Sequence, residues 1–393
     1  MDYRKESLKK HGEWKGKIEI SCRVPVDSRE DLSLAYTPGV AEPCMAIHED
    51  INKSFELTRR WNTVPVITDG TAILGLGDIG PEAGMPVMEG KAALFKAYGD
   101  VDAYPLCIRS KDTEEIIKTI ELLAGSWGGI NLEDISGPRC FEIETRLKQD
   151  LDIPVFHDDQ HGTAIVMAAA LINSLKLAKK KKEDIKVVIN GAGAAGIAIA
   201  RFMLNIYGIK DIILCDRYGI LYEGNPEMNP VQAEMAKVTN RKMLKGTLAD
   251  AMKGADVFIG VSAPHVVTKD MVRSMNEKAI VFTCANPVPE IEREDALDAG
   301  AFIVGTGSST KPNQINNVLV FPGLFRGALD VRAKTVNSEM MLAAAEGIAA
   351  YVGDKLSTEH ILPFAFDKGA HKAVAKAVAD AAVRTGVSNA ANF

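Results

Sequence analysis

The sequence predicts an α/β protein with two domains, one of them a Rossmann-type dinucleotide-binding domain. Its 393 residues are too many for one ordinary hydrophobic core. Runs rich in Val and Ile alternate with longer helical patterns, which is typical of parallel sheets covered by helices. A glycine-rich segment, residues 191–196, lies between a predicted strand and a predicted helix, as dinucleotide-binding domains require.

The first α/β set extends to about residue 160. Its elements are predicted strands at 64–68, 102–108, 129–132 and 154–156, and predicted helices at 85–98 and 113–125. A long apolar helix over 162–180 follows, and we place the domain boundary at its start. Residues 1–160 therefore form the predicted first domain, which we interpret as an α/β substrate and metal domain.

The second α/β set covers residues 161–320 and is the predicted Rossmann domain. Its elements are predicted strands at 185–190, 212–215, 257–261, 280–284 and 302–304, and a predicted helix at 194–207. Two Ala-rich helices, 338–352 and 368–385, close the chain. We expect residues 321–393 to return and pack on the first domain, completing it with helices.

Composition excludes several classes of protein. With 47% apolar residues, 25% charged residues and a net charge of −6, the chain has no electrostatic reason to bind nucleic acid or an anionic membrane. Its six cysteines are scattered, and we find no run of 18 apolar residues. We therefore expect a cytoplasmic protein without a nucleic-acid or membrane partner. An acidic substrate would need local cations or a metal.

The glycine-rich segment predicts a pyrophosphate site. It has the G-x-G-x-x-G spacing and consists of Gly191, Ala192, Gly193, Ala194, Ala195 and Gly196. Asp216 ends the next strand, 20 residues after Gly196, and can accept a hydrogen bond from a ribose hydroxyl. Asp216 favours NAD, whereas Arg217 could pair with a 2′-phosphate, so NADP stays open. The alternative is a glycine-rich turn without a ligand.

Four carboxylates predict a divalent-metal site. Glu133 and Asp134 follow one predicted strand, and Asp158 and Asp159 follow another, so both pairs lie at carboxyl ends of parallel strands. Like charges at one site need a cation, and hard oxygen ligands suit Mg²⁺ or Mn²⁺. An Asp that caps a helix would explain one of these residues but not all four.

Lys91 and Tyr36 are candidate proton-transfer residues. Lys91 is followed by Ala92, Ala93, Leu94 and Phe95, which indicates partial burial and a lowered pKa suited to a base. A surface lysine is the alternative. Tyr36 precedes a Pro-Gly pair, and its spacing alone favours a tyrosine of the core or of an interface.

Several motifs together resemble the malic enzymes, in particular their short bacterial form. The main block is FHDDQHGTAIVMAAALI at 156–172. Supporting blocks are LAYTPGVA at 34–41, LGLGDIG at 74–80, INLEDI at 130–135, ANP at 285–287 and NQINNVLVFPG at 313–323. The similarity spans nearly the whole chain.

The resemblance implies oxidative decarboxylation of malate to pyruvate and carbon dioxide, with reduction of NAD or NADP and a bound Mg²⁺ or Mn²⁺. It assigns the general base to Lys91 with Asp158 as charge partner, the general acid to Tyr36, the metal to Glu133, Asp134 and Asp159, and cofactor or substrate contacts to Asn286 and Asn317. Larger members carry an arginine that grips the substrate carboxylate where this chain has Ala72. Substrate anchoring must therefore differ.

Other functions stay open. The same residues would serve a malolactic reaction, in which bound NAD is recycled and lactate is released. A dehydrogenase for another 2-hydroxy acid and a non-catalytic nucleotide-binding protein are further alternatives, although the retained acid, base and metal ligands speak against the last. We expect a homodimer, from the resemblance and because two-fold oligomers are common.

Overall fold

The chain folds around two mainly parallel β-sheets in the computed structural model, which describes residues 3–389. Those residues contain ten strands: β1 (Thr63–Thr68), β2 (Asp102–Cys107), β3 (Ile130–Leu132), β4 (Val155–His157), β5 (Lys186–Asn190), β6 (Asp211–Asp216), β7 (Gly219–Ile220), β8 (Val257–Gly260), β9 (Ile280–Thr283) and β10 (Ile303–Thr306).

Sixteen α-helices connect and cover these strands within residues 3–389. They are α1 (Tyr3–Trp14), α2 (Arg29–Ala35), α3 (Ala41–Glu49), α4 (Ser54–Leu57), α5 (Pro81–Gly99), α6 (Thr113–Leu123), α7 (Arg139–Asp150), α8 (Thr163–Ala178), α9 (Ala194–Phe202), α10 (Pro230–Ala236), α11 (Leu248–Met252), α12 (Lys269–Arg273), α13 (Arg293–Asp298), α14 (Phe321–Asp330), α15 (Ser338–Tyr351) and α16 (Lys368–Arg384). One-turn π segments precede α8 (Asp158–Gly162) and follow α9 (Met203–Tyr207).

The first sheet has the strand order β2-β1-β3-β4, and all its strands are parallel. Every residue of β1 is buried, as expected for a parallel strand with helices on both faces. The carboxyl ends of β3 and β4 lie side by side, because Leu132 pairs with His157. The residues that follow these two strands, Glu133 and Asp158, are therefore brought close together.

The second sheet has the order β10-β9-β8-β5-β6-β7, in which only β7, an edge strand, is antiparallel. The strands β5 and β8 are parallel, and the order in which successive strands are added reverses between them, so a crevice opens above their carboxyl ends. This arrangement is a Rossmann-type sheet. Together with the first sheet it confirms the predicted fold class.

Several predicted element boundaries differ from the structure. Helix α5 begins at Pro81, four residues before the predicted start, because proline suits the first turn of a helix, where its missing N–H has no partner to lose. The predicted helix at 194–207 is α9 followed by a π turn. Helices α7 and α14 were not predicted, although both are amphipathic.

Helix α8 with its preceding turn, Asp158–Ala178, is long and apolar enough to cross a membrane by composition. In the folded chain, however, 72% of the most apolar 18-residue stretch of this helix is buried. It packs against α9 and α15 between the two sheets. Its hydrophobicity therefore fits a core helix of the domain junction.

The C-terminal helices contact the first sheet through aromatic side chains. The Phe325 ring of α14 lies 5.3 Å from Phe95 of α5 and 6.0 Å from Phe156 of β4, with edge-to-face geometry in both pairs. One continuous apolar cluster includes residues from both sheets and from α14–α16. The domain limits at residues 160 and 320 stay predictions, because this shared core crosses both of them.

Asn173 of α8 links the core helix to the C-terminal region. Its Nδ2 donates to the carbonyl oxygens of Ala349 at 2.9 Å and Ile361 at 2.8 Å, and the residue is 4% exposed. We predict that Asn173→Ala lowers the free energy of unfolding by about 2 kcal/mol, since it leaves buried carbonyls unpaired. Urea unfolding followed by circular dichroism measures this. The control Lys176→Ala, at an exposed site of the same helix, should change stability by less than about 0.5 kcal/mol; equal effects would contradict the prediction.

Candidate active site

A cleft of about 880 Å³ lies where the carboxyl ends of the two sheets face each other. Its walls combine residues that follow β3 and β4, the glycine loop after β5, and residues that follow β8 and β9. Most of the residues predicted to bind metal or cofactor line it: Asp134, Asp159, Ala192, Gly193, Ala194, Ala195, Asn286 and Asn317. The fold therefore brings together groups that are far apart in the sequence.

The glycine loop has the conformation that a pyrophosphate site requires. Gly191 has φ +113°, and a Cβ there would collide with the carbonyl oxygen of Val261. A Cβ on Gly196 would collide with the carbonyl oxygen of Gly191, so this close approach also needs glycine. Around Gly193 a Cβ would meet nothing within 4 Å. Open space at the amino end of α9 leaves its free N–H groups available to an anion.

Asp216 lies at the carboxyl end of β6, beside a second cavity of about 750 Å³ that shares Ala192 and Gly193 with the main cleft. Its Oδ1 accepts from the backbone N–H of Tyr218 at 2.8 Å, and Gln232 approaches its Oδ2 at 3.4 Å. These contacts hold the carboxylate beside the glycine loop. The Arg217 guanidinium stacks on the Tyr218 ring, 4.8 Å from its centroid, at the rim of the same cavity.

The metal candidates Glu133, Asp134 and Asp159 converge. One carboxylate oxygen from each lies within 4.8 Å of the others. The backbone N–H of Asp134 donates to Asp159 Oδ2 at 2.7 Å, and Asn131 Nδ2 donates to Glu133 Oε2 at 2.9 Å. Asp134 has φ +52°, a left-handed conformation that Asp tolerates better than most residues. Asp159 does not cap α8, because Gly162 precedes the first residue of that helix.

The donor set suits a hard divalent cation. All three groups offer carboxylate oxygens, and Asp134 Oδ2 is buried without a hydrogen-bond partner. Burial, followed by repulsion from Asp159, raises the pKa of Asp134 to about 8. Burial likewise raises the pKa of Glu133 well above its ordinary value, although Lys91 opposes the shift. Crowded, desolvated carboxylates of this kind are stabilised by a bound cation.

Lys91 is buried as predicted, but the predicted direction of its pKa shift is wrong. Its Nζ lies 2.5 Å from Asp158 Oδ2 and 2.8 Å from Glu133 Oε1, and 4.1 Å from the Phe321 ring centroid. Burial alone lowers the pKa of Lys91, but attraction to Asp158, Glu133 and Asp159 outweighs it and raises the pKa. Local sequence predicts the burial of Lys91 but not its long-range carboxylate partners. These contacts favour the charged form of Lys91.

Tyr36 lies outside the cleft. It follows α2 at the surface, is 68% exposed, and belongs to none of the cleft walls, in which Ala72 is the first lining residue. The position agrees with the interface tyrosine that spacing alone favours. The structure of one chain therefore does not bring the predicted acid together with the predicted base.

The substrate-anchoring end of the cleft lacks a cation of its own. Ala72 lines the wall and donates its backbone N–H to the Asp134 carbonyl oxygen at 3.0 Å. Among the described residues that line the cleft there is neither lysine nor arginine. Asn286 and Asn317 are polar lining residues that can donate hydrogen bonds to a carboxylate. A bound divalent cation would supply the missing positive charge.

A buried histidine–glutamate group behind the carboxylates was missed by the sequence analysis. Glu144 of α7 is 5% exposed; it accepts from the His157 backbone N–H, and its oxygens lie 2.8 Å from His161 Nε2 and from Lys148 Nζ. His161 and Lys148 outweigh burial and hold the pKa of Glu144 well below its usual range. The His157 ring, 1% exposed, lines the cleft; neither nitrogen has a hydrogen-bond partner, and Nδ1 lies 3.7 Å from Asp159 Oδ2. Two histidines flanking the Asp158–Asp159 pair were the available signal; Glu144 gave none, since α7 was not predicted.

Comparison with known proteins agrees with this geometry. The family model described as malic enzyme, NAD binding domain, matches residues 160–383, and the one described as malic enzyme, N-terminal domain, matches residues 15–112. The chain is 56% identical to a bifunctional malic/malolactic enzyme of Bacillus subtilis, covering 99% of this chain and 95% of that protein. It is 55% identical to an NAD-dependent malic enzyme of Geobacillus stearothermophilus, covering 96% and 79%. A crystal structure of an NAD-dependent malic enzyme from Thermotoga maritima superposes with a TM-score of 0.92 at 49% identity, covering 95% and 98%.

The raised pKa of Asp134 predicts how pH changes the stability of the metal-free protein. Between about pH 4 and 8 the folded state holds a proton that the unfolded chain has released, so stability falls as pH rises. Asp134→Asn removes this pH-dependent contribution to the free energy of unfolding. With a chelator present, the variant should gain stability relative to wild type from pH 5 to 8, by at most about 1.4 kcal/mol per pH unit.

Denaturant unfolding at several pH values in EDTA measures that difference, and excess Mn²⁺ should reverse it, because only the wild type keeps the full ligand set. The exposed Asp152→Asn is the control and should follow the wild-type pH curve. An Asp134→Asn curve parallel to wild type would contradict the prediction.

Proposed function

The chain belongs to the malic enzyme family, and we propose that it converts malate to pyruvate and carbon dioxide with reduction of a nicotinamide cofactor. One observation carries the proposal. A buried lysine held by carboxylates and a three-carboxylate cation site lie beside the cleft that also contains a dinucleotide-binding glycine loop. Proton abstraction, cation binding and hydride acceptance are the functions that this reaction needs in one place.

Two groups would complete the site. A divalent cation held by Glu133, Asp134 and Asp159 would neutralise the substrate's charge and withdraw electrons as the carboxylate leaves, and a nicotinamide dinucleotide on Gly191–Gly196 would accept the hydride. Asn286 and Asn317, which line the cleft between them, orient the substrate through hydrogen bonds. Apolar lining residues such as Val166 and Ile315 exclude water from the reacting carbon atoms.

Lys91 acts as the base that takes the proton of the substrate's C2 hydroxyl. Before it can accept that proton, Lys91 would pass its own to the Asp158 carboxylate, whose Oδ2 lies 2.5 Å from Nζ. A cation held by Glu133, Asp134 and Asp159 would offset part of the negative charge that raises the pKa of Lys91. Asp158, which is fully buried, then keeps the Nζ oriented.

Tyr36 supplies the proton that C3 receives after carbon dioxide has left. The hydroxyl of a tyrosine is a weak acid that suits the protonation of an enol carbon. This assignment follows from the family resemblance. In this structure Tyr36 is 68% exposed and lies outside the cleft lining.

NAD is the preferred cofactor of the proposal, with NADP as the weaker alternative. The Asp216 carboxylate beside the glycine loop favours a ribose hydroxyl and repels a 2′-phosphate. A homodimer in the cytoplasm is also part of the proposal. Its six cysteines are all free thiols, which suits a reducing compartment.

A malolactic reaction is the second candidate, because a relative that is 56% identical to this chain bears the name bifunctional malic/malolactic enzyme. The same acid, base and cation site would serve it. The two reactions differ in whether reduced cofactor accumulates. Disappearance of malate with lactate formation and no net absorbance at the reduced-nicotinamide band would identify the malolactic reaction.

We predict Mn²⁺-dependent reduction of NAD by malate, with stoichiometric pyruvate and loss of activity in EDTA. Lys91→Ala should lower kcat at least about 100-fold and leave NAD binding near normal, since it removes the base but not the nucleotide site. Absorbance at the reduced-nicotinamide band and calorimetric NAD titration measure the two effects. Lys96→Ala, an exposed lysine of the same helix, is the control. Appreciable turnover in a folded Lys91→Ala protein would remove Lys91 from its role.

Cofactor preference gives a separate prediction. Asp216→Ala should weaken NAD about tenfold, because it removes a ribose partner, and should weaken NADP less, because it also removes a repulsive charge. Arg217→Ala should have the reverse effect if NADP binds at all. Calorimetric dissociation constants for both cofactors test this, and equal losses for both would refute the specificity argument.

A further inference from the structure

A second buried carboxylate lies beside the cleft, on the side of the Rossmann-type sheet, and the mechanism does not use it. Glu290 lies between β9 and α13 and is fully buried. Arg293, three residues further along the chain, forms its ion pair with Glu359 instead. The Glu290 carboxylate is stabilised by hydrogen bonds from the loops around it. A buried acidic side chain held in this way also fixes the groups that donate to it.

The Glu290 carboxylate joins two loops of the cleft wall. Its Oε1 accepts from the backbone N–H of Ser262 at 2.8 Å and from the Ser262 hydroxyl at 3.3 Å. Its Oε2 accepts from the backbone N–H of Ala285 at 3.1 Å. Ser262 belongs to the loop after β8, Ala285 belongs to the loop after β9, and both residues line the cleft. One side chain therefore sets the spacing of these two loops.

Ser262 extends this connection to the glycine loop. Asn190, the last residue of β5, directly precedes Gly191, and its Nδ2 donates to Ser262 Oγ at 2.7 Å. The Ser262 hydroxyl thus accepts from one loop and donates to the carboxylate that holds the other. We call this connected group the brace; it consists of Asn190, Ser262, Glu290 and Ala285. The brace links the loops that follow three adjacent strands, β5, β8 and β9.

The backbone around Glu290 is adapted to this carboxylate. A Cβ on Gly260, the last residue of β8, would lie 2.4 Å from the Glu290 carboxyl carbon, so glycine is needed to leave room for it. The main chain at Glu290 is fixed as well. Its carbonyl oxygen accepts from the Val267 N–H at 3.1 Å, and the Pro289 carbonyl oxygen accepts from the His265 N–H at 3.1 Å. The carboxylate is therefore held in place from both its side chain and its main chain.

The brace lies on the nicotinamide side of the dinucleotide site. Asp216, the predicted ribose partner, ends β6 on one side of β5, whereas β8 and β9 lie on the other side. A dinucleotide crosses a Rossmann-type sheet where the strand order reverses, with its pyrophosphate at the glycine loop. The nicotinamide riboside of a bound cofactor would then extend over the loops that contain Ser262, Ala285 and Asn286.

Resting on the dinucleotide site of the proposed function, we propose that Glu290 is a positioning residue for the nicotinamide half of the cofactor. Its carboxylate holds the loop with Ala285 and Asn286 at a fixed distance from the glycine loop. Glu290 acts through these loops and does not touch the cofactor. An acceptor with two oxygen atoms is required, because each oxygen serves a different loop.

Glu290→Gln tests the proposal in calorimetric titrations with NAD and with ADP. Glutamine has nearly the same shape, but its Nε2 is a donor and faces one of the two backbone N–H groups. We expect the dissociation constant of NAD to rise about tenfold or more. The dissociation constant of ADP, which lacks the nicotinamide riboside, should rise less than about threefold. Unchanged NAD affinity, or equal losses for NAD and ADP, would overturn the proposal.

Asp256→Asn is the matched control for a purely structural effect. Asp256 is a buried carboxylate directly before β8, at the end of the sheet opposite to the cleft. It accepts from Lys180 Nζ at 2.6 Å, from the Lys186 backbone N–H at 2.9 Å and from Asn276 Nδ2 at 3.1 Å. Both this variant and Glu290→Gln should lower the urea midpoint, but only Glu290→Gln should weaken NAD. An equal loss of NAD affinity in Asp256→Asn would overturn the proposal.

Ser262→Ala tests the brace in a variant that retains the Glu290 carboxylate. It keeps the N–H that donates to Glu290 and removes the hydroxyl that accepts from Asn190. We expect the dissociation constant of NAD to rise about threefold to fivefold. Adding Asn190→Ala should cost less than the sum of the two single effects, because both variants remove the same hydrogen bond. Additive losses would overturn the link between Glu290 and the glycine loop.

The titrations need neither malate nor a bound cation, so the proposal and the proposed function can fail separately. If NAD binding responds as described and malate is not oxidised, the function fails and the positioning role stands. If malate is oxidised, Glu290→Gln should raise the KM for NAD about tenfold and lower kcat at saturating NAD by a smaller factor. Wild-type kinetics in Glu290→Gln would leave the function intact and overturn the positioning role.

Discussion

The rest of the site depends on one cluster, in which Lys91 lies close to four carboxylates. They belong to Glu133, Asp134, Asp158 and Asp159. Lys91 Nζ contacts Asp158 and Glu133, and the carboxylates of Asp134 and Asp159 lie within 4.8 Å of Glu133. One lysine leaves much of this negative charge unbalanced in a desolvated place, which is the arrangement that a bound divalent cation would stabilise. In the proposed mechanism, binding of that cation and activation of Lys91 as a base would be coupled, because both depend on the charge of the same carboxylates.

The arrangement of the two sheets places this carboxylate cluster opposite the crevice of the Rossmann-type sheet. Parallel strands β3 and β4 deliver their carboxylates to one edge, and the reversal between β5 and β8 opens the crevice for a dinucleotide at the facing edge. Helix α8 lies between the sheets, and the Asp158–Gly162 turn at its start carries Asp158 and Asp159. The apolar core around α8 therefore fixes where Asp158 and Asp159 lie relative to the second sheet.

The amino-terminal residues lie outside this hydrophobic core. None of residues 3–53 is buried, and hydrogen bonds at Lys17 and Asn52 tie this segment to the rest of the fold. Such a segment would be costly in exposed apolar surface for an isolated chain.

The sequence by itself determined the fold class, the glycine loop and the strand-end carboxylates, because short-range periodicity and the geometry of parallel sheets fix where such residues lie. It also identified the family, which the comparisons confirmed. Tertiary structure alone decided the sign of the pKa shift of Lys91, whose partner Asp158 is 67 residues away. It alone showed Glu144 behind His157 and His161, and Tyr36 outside the cleft. These features depend on distances between remote segments, which local patterns do not encode.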